Sequence, residues 1–432
     1  MLKTFFDKVH LVANDRILRS RILFVVFGLG IFRLLSTIPV PGMDPMRLKT
    51  LLTDFQFLGF LNLFSGGGLS NLSIVMLGLS PYITGSIIMQ LLTVMSPKLK
   101  SMYHEEGEIG RKRFIQFGRL LTVPLAILQG FGLLKLLENQ QILVPLSNFD
   151  FILNLVIITG GAMLLMWLGE LMTEFGVGNG TSLLIFAGIV VALPGSIAQF
   201  FAAYGVSYFP FISPEVIPTA IGFIIVAVAV VTGVVYATEA ERPIPITYAK
   251  QVRGNRTYGG ISTYLPIRIN QAGVIPIIFA LSMLVFPQIV SSLLGASTAP
   301  IAVKIAGAMT WFLNNSVLYA VTYFVLVFVF TFFYTAITFE PDSTATNLQK
   351  NGAFIPGVRP GQATAEYIGK IVTRVTLVGA SFLAVIAVLP LIMQTVTGNQ
   401  MLAIGGTALL IVVSVVLDLI KKVDAQISMR EY

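Results

Sequence analysis

Glu170 and Glu174 stand at the end of one long apolar run of this chain and Asp418 near the end of another. None falls mid-run, so no Asp, Glu or His is placed to relay a proton through an apolar segment. The two histidines, His10 and His104, lie outside the apolar runs, and cysteine is absent. That excludes disulfides, thiolate metal sites and a cysteine nucleophile. No phosphate loop, zinc spacing or nucleophile motif occurs, so no enzymatic activity and no cofactor is expected. Notable polar residues in or beside apolar runs are two amides, Gln90 in "SIIMQLL" and Asn179 in "GVGNGTS". Each either hydrogen-bonds a neighbouring helix or lines a polar cavity. One further stretch is conspicuous. "LFSGGGLSNLS" sets Gly66, Gly67 and Gly68 between a short apolar piece, Phe55–Phe64, and a long one.

Of the 432 residues 55% are hydrophobic and 11% charged, with a mean hydropathy of +0.85. Soluble domains carry about 25% charged residues, so this is a polytopic membrane protein. A bilayer-spanning helix needs about 20 mostly apolar residues. On that basis ten spans are expected: Ile22–Ile38, Leu72–Met95, Phe114–Leu137, Phe151–Leu171, Thr181–Phe201, Val216–Thr238, Ala272–Leu294, Phe312–Phe339, Ile368–Met393 and Leu402–Ile420. The N-terminal stretch mixes both charge signs and lacks a small-residue cleavage site, so no cleavable signal is expected.

Lys and Arg set the orientation, because cytoplasmic loops carry their excess. One side collects Lys3, Lys8, Arg16, Lys98, Lys100, Arg111–Arg113, Arg242, Lys250, Arg253, Arg256, Arg268, Lys350, Arg359, Lys421 and Lys422; the other holds Arg47, Lys49 and Lys304. The net charge of +8 is thus a topological signal, with both termini cytoplasmic. Arg33, Arg119 and Lys135 fall within span ends, where long side chains snorkel to the interface. An odd number of spans per half gives opposite insertion, as in inverted repeats. The expected halves are 1–207, with spans 1–5, and 208–432, with spans 6–10. Phe55–Phe64 is too short to cross and reads as a re-entrant half-helix entering from outside, with the glycines reversing the chain. Uncharged, it suits a stopper in a cavity mouth; an outer loop lying on the interface is the alternative.

Two long cytoplasmic loops, at about 239–270 and 340–367, are long enough to be functional. The first contains two β-leaning runs around a Gly-Asn turn, with Lys250, Arg253 and Arg256 near its tip. In the second, Pro341 and Asp342 start a short helix that Gly352 ends, and "FIPGVRPG" then displays Arg359 on a rigid turn. The basic tips either satisfy the positive-inside bias or meet an acidic partner, RNA or protein.

"IFRLLSTIPVPGMD", "FSGGGLSNLSIVMLGLSPYITGSIIMQLL", "GVGNGTSLLIFAGIV", "INQAGVIPIIFA", "NGAFIPGVRPG" and "GGTALLIVV" together closely resemble the bacterial SecY family, channel subunits of the Sec protein translocase. The resemblance runs from the first span to the last in order. It implies an all-α membrane fold of two inverted five-helix halves around an hourglass pore that opens sideways to lipid. A plug of about residues 55–70, including Phe57, Phe60, Leu61 and Phe64, would swing on Gly66, Gly67 and Gly68. The pore ring would be Leu79, Ile83, Thr181, Ile185, Ile278 and Ile411, with Thr181 departing from the aliphatic pattern. The lateral gate would set Thr84 opposite Phe286, with Gln90 and Asn179 in its polar cluster. Lys250, Arg253, Arg256 and Arg359 would meet the motor or the ribosome. The implied partners are the SecE and SecG membrane subunits, the SecA ATPase motor, the ribosome (its rRNA and proteins), signal sequences, nascent polypeptides and the lipid bilayer. The implied function is a conduit for unfolded secretory polypeptides across the bacterial cytoplasmic membrane, releasing membrane spans sideways. The residues alone leave an inverted-repeat transporter for a small solute as the alternative, disfavoured by the missing mid-span charges.

Overall fold

The structure is a computed structural model that describes residues 15–41, 62, 65–104, 106–139, 146–203, 216–249, 251–253, 256–258, 262–295, 300–397 and 401–428. The first part of the chain folds as α1 (Arg16–Leu35), α2 (Ser80–Met95), α3 (Pro97–His104), α4 (Gly107–Asn139), α5 (Asn148–Phe175), α6 (Gly180–Ala203) and α7 (Val216–Glu239). Then come β1 (Glu241–Tyr248), β2 (Gln251–Arg253), β3 (Arg256–Tyr258) and β4 (Ser262–Arg268). The remainder is α8 (Ile275–Gly295), α9 (Pro300–Asn314), α10 (Ser316–Thr338), α11 (Pro341–Lys350), β5 (Ala353–Phe354), α12 (Gln362–Thr397) and α13 (Met401–Ser428). Every expected span lies largely on one of these helices. Among the described residues, four stretches are by themselves long and apolar enough to cross a membrane: Gly107–Glu138, Asn148–Phe175, Ser316–Lys350 and Gln362–Ile392.

Two spans differ from expectation. The second was expected from Leu72, but the helix begins at Ser80, with Pro81 in its first turn. Leu72 and Gly78 both have positive φ, at 47° and 59°, which no continuous helix accommodates. Residues 65–79 instead run as successive turns, and their backbone is satisfied by the strand-like segment after α1. The Val40 N–H donates to the Leu72 carbonyl at 2.8 Å, and the Ile74 N–H to the Ile38 carbonyl at 3.0 Å. Irregular backbone at membrane depth survives only when buried in protein, and Leu69, Leu72, Val75, Met76 and Leu77 are all buried. The eighth span was read as one run from Phe312. It breaks at Asn315, whose side-chain oxygen accepts from the Leu318 N–H and caps α10 at 3.1 Å.

The two long loops form one unit. β1 pairs antiparallel with β4 along its length and with β5 at Thr247 and Tyr248 only, giving the order β4-β1-β5. Pro243 and Pro245, which lack an N–H, lie on the part of β1 that β5 does not reach. Ile244 and Ile246 point inward with period two and join Ile267, Ile355, Ile368 and Val372 in a small core seated on the base of α12. The expected Gly-Asn hairpin is present as β2 and β3, with Arg253 opposite Arg256. The helix expected from Pro341 is α11.

Candidate functional site

One large apolar cluster draws buried residues from α1, α5, α6, α7, α8, α10, α12 and α13. Leu79 at the start of α2, Ile185 on α6, Ile278 on α8 and Ile411 on α13 are all buried in it, and Ile83 packs against it. Thr181, the sixth residue expected here, makes local contacts. Its hydroxyl donates to Asn179 Oδ1 at 2.6 Å, and its methyl lies against Gly169 of α5. The departure from the aliphatic pattern has a local reason, since that hydroxyl is satisfied within its own helix cap.

The glycine stretch is a packed turn. Gly66 and Gly67 have φ of 64° and 81°, a region that favours glycine. At Gly68 a Cβ would lie 2.7 Å from Ser73 Oγ and 2.9 Å from the Ser65 carbonyl, so no side chain fits. The Gly67 N–H donates to the Asn62 carbonyl at 2.8 Å, and the Ser73 N–H to the Gly68 carbonyl at 2.8 Å. Asn62 Oδ1 accepts from the Ser70 N–H, closing the turn at 2.8 Å. From α1, the Phe32 ring lies against Gly66, and Arg33 Nη1 donates to the Gly66 carbonyl at 3.3 Å. Arg33 was expected to snorkel; it is exposed, and it also tethers the turn. Phe57, Phe60, Leu61 and Phe64 lie outside the described residues.

The amides divide. Asn179 is a helix cap: its side-chain oxygen accepts from the backbone N–H groups of Thr181 and Ser182, at 3.1 and 3.3 Å. Gln90 keeps a buried Oε1 with no hydrogen-bond partner. Thr84 is buried and turned toward α4, where its hydroxyl accepts from Gln129 Nε2 at 3.3 Å. The expected opposition of Thr84 and Phe286 is therefore not displayed: Thr84 has its partner on α4, and the Phe286 side chain lies outside the described residues. Sequence reading missed Gln129, although a lone amide in an apolar helix is the same signal that marked Gln90.

Arg119 was also expected to snorkel. Its Nε donates to Glu170 Oε1 at 2.7 Å, joining α4 to α5. Lys135 pairs with Glu138 at 2.6 Å and stands 5.1 Å from the Phe151 ring centroid. Glu174 is exposed, and Asp418 pairs with Lys422 on its own helix at 2.7 Å. Among the described residues no cluster of His, Cys, Asp and Glu could hold a metal ion. On the basic side Arg359 is exposed on its turn, and its carbonyl accepts from the Thr364 hydroxyl at 2.8 Å. Lys250 and the side chains of Arg253 and Arg256 lie outside the described residues.

A family model described as SecY matches residues 73–420 of this chain. The chain belongs to the SecY family. The protein translocase subunit SecY of Corynebacterium glutamicum is 38% identical, over 97% of this chain and 97% of its own. That of Streptomyces griseus is 39% identical, over 96% of each. Among solved structures, "The structure of a protein conducting channel" superposes with a TM-score of 0.63 at 18% identity, covering 94% of this chain and 92% of that one. Sec61 in a canine ribosome-channel complex superposes at 0.59 and 16% identity, over 94% and 92%. The fold is the SecY fold of ten membrane helices in two halves, and the protein is a protein-translocation channel in a membrane. The small-solute transporter reading is set aside.

Proposed function

We propose that this channel subunit passes unfolded secretory polypeptides across the bacterial cytoplasmic membrane and lets apolar segments out sideways. The observation that supports the sealing mechanism is the burial of the aliphatic side chains Leu79, Ile185, Ile278 and Ile411 in one apolar cluster, with Ile83 packed against it. A conduit for chains of every composition cannot filter with fixed charges. It can exclude ions with an apolar constriction that dewets. Aliphatic side chains yield around a moving chain without binding it strongly. Phe55–Phe64 acts as the plug. Gly66, Gly67 and Gly68 are its hinge, with φ of 64° and 81° at the first two.

Residues 1–207 and 208–432 are the two halves, with the lateral gate between α2 on one side and α8 and α10 on the other, and Gln90 and Asn179 in the polar cluster near it. The termini and the β-sheet unit face the cytoplasm, following the Lys and Arg excess. Arg359, with Lys250 and with Arg253 and Arg256 of β2 and β3, meets SecA or the ribosome. SecE and SecG brace the two halves. The deciding experiment reconstitutes the chain with SecE, SecG and SecA in vesicles and follows protease protection of a secretory precursor. ATP-dependent protection is expected; a precursor that stays fully accessible refutes the reading.

A further inference from the structure

Lys100 Nζ lies 3.2 Å from Glu340 Oε1, with the side chains 60% and 31% exposed. Lys100 belongs to α3, which follows α2 after Ser96 alone, and Glu340 is the capping residue of α11, directly beyond α10. The two residues therefore come from opposite parts of the chain. They are also carried by different packed units. α3 is held to α4 by Tyr103, whose ring lies 4.9 Å from that of Phe114 and under the Arg111 guanidinium at 5.7 Å. α10 is held to α8 by Phe279, edge-on to Phe330 at 6.0 Å and to Tyr334 at 6.1 Å. The seam between the units runs where α2 and α4 pack against α8. The ion pair bridges that seam on the side rich in Lys and Arg. The other ion pairs named above, Arg119–Glu170, Lys135–Glu138 and Lys422–Asp418, each lie within one unit.

We infer that Lys100 and Glu340 form an electrostatic latch across this seam, which biases the idle channel toward its closed arrangement and releases when the halves part. This rests on the channel reading above. An exposed pair suits a latch because it is weak: it shifts a balance without locking it. Its backbone mounting is firm, since the Glu340 carbonyl accepts both the N–H and the hydroxyl of Thr344, at 3.1 and 3.0 Å. The far end of the same helix leads through Gly352, whose carbonyl accepts from the Ala249 N–H at 2.9 Å, to β5 and the Arg359 turn. A partner that moves the Arg359 turn thus moves α11 and, with it, Glu340.

The test uses the full chain with SecE, SecG and SecA in vesicles, and compares an intact precursor with one whose signal sequence is weakened. Lys100→Glu and Glu340→Lys should each raise passage of the weakened precursor about two- to fivefold, the range open to an exposed pair. The double variant, Lys100→Glu with Glu340→Lys, restores the attraction and should return passage to the original level. Glu340→Gln, which removes the attraction without adding repulsion, should give a smaller rise. Raising salt should increase passage through the unaltered chain and leave Glu340→Gln unchanged, because exposed charges are screened. Single reversals that match the unaltered chain, or a double variant that adds their effects, overturn the latch. An unaltered chain that cannot move even the intact precursor overturns the channel reading instead.

Discussion

Replacing Ile411 with Asn tests the apolar seal most directly. Ile411 is 3% exposed and shares its cluster with Leu79, Ile185 and Ile278. Burying an isoleucine side chain is worth about 1.5–3 kcal/mol, and an amide buried without a partner costs about 1–3 kcal/mol. The closed packing therefore loses on the order of 3–5 kcal/mol. When the constriction widens and fills with water the amide is hydrated, so the open arrangement loses little. Even a net shift of about 2 kcal/mol changes the closed-to-open ratio about thirtyfold. In planar bilayers Ile411→Asn should leak ions without substrate, and in vesicles it should pass precursors with weakened signal sequences. Ile420→Asn on the same helix, at a site 50% exposed, is the control and should do neither. Ile411→Asn present at normal levels with a tight bilayer and unchanged signal dependence would refute the assignment.

Gly160 and Gly161 offer an adjacent pair. A Cβ at Gly161 runs into the Ile74 carbonyl, whereas one at Gly160 meets nothing within 4 Å. Gly161→Ala should therefore destabilise by about 1–3 kcal/mol through overpacking, while Gly160→Ala should be neutral or slightly stabilising, both read from thermal unfolding in detergent. Arg119→Ala should cost about 1 kcal/mol, more than most exposed pairs, because Glu170 is only 16% exposed and keeps its charge without its partner; Glu170→Gln in the same background should recover part of the loss. Arg359→Glu should cripple SecA-driven export while changing stability by less than about 0.5 kcal/mol, since an exposed charge rarely matters for folding; equal export rates by the two proteins would make Arg359 a topology charge alone.

The ten spans could be read from the chain because each depends on a local run of apolar residues matching the bilayer thickness. The short helix from Pro341 and the hairpin around Gly254 and Asn255 were legible for the same reason: caps and turns are set by a few neighbouring residues. The aliphatic residues of the candidate constriction came from the family resemblance, since no local pattern marks them out from the other aliphatic residues of their helices. What sequence could not supply were interactions between residues distant along the chain. Arg33 reaches Gly66, 33 residues away, Gln129 reaches Thr84, 45 away, and Arg119 reaches Glu170, 51 away. Hydropathy treated residues 72–79 as the start of a helix, since their composition is as apolar as the helix that follows. Only the tertiary structure supplies the carbonyl and N–H partners on the segment after α1 that let this stretch stay irregular while buried. The pairing of β5 with β1, which turns two loops into one platform, was hidden likewise, because a strand of two residues has no periodicity to read and exists only where a partner edge is waiting.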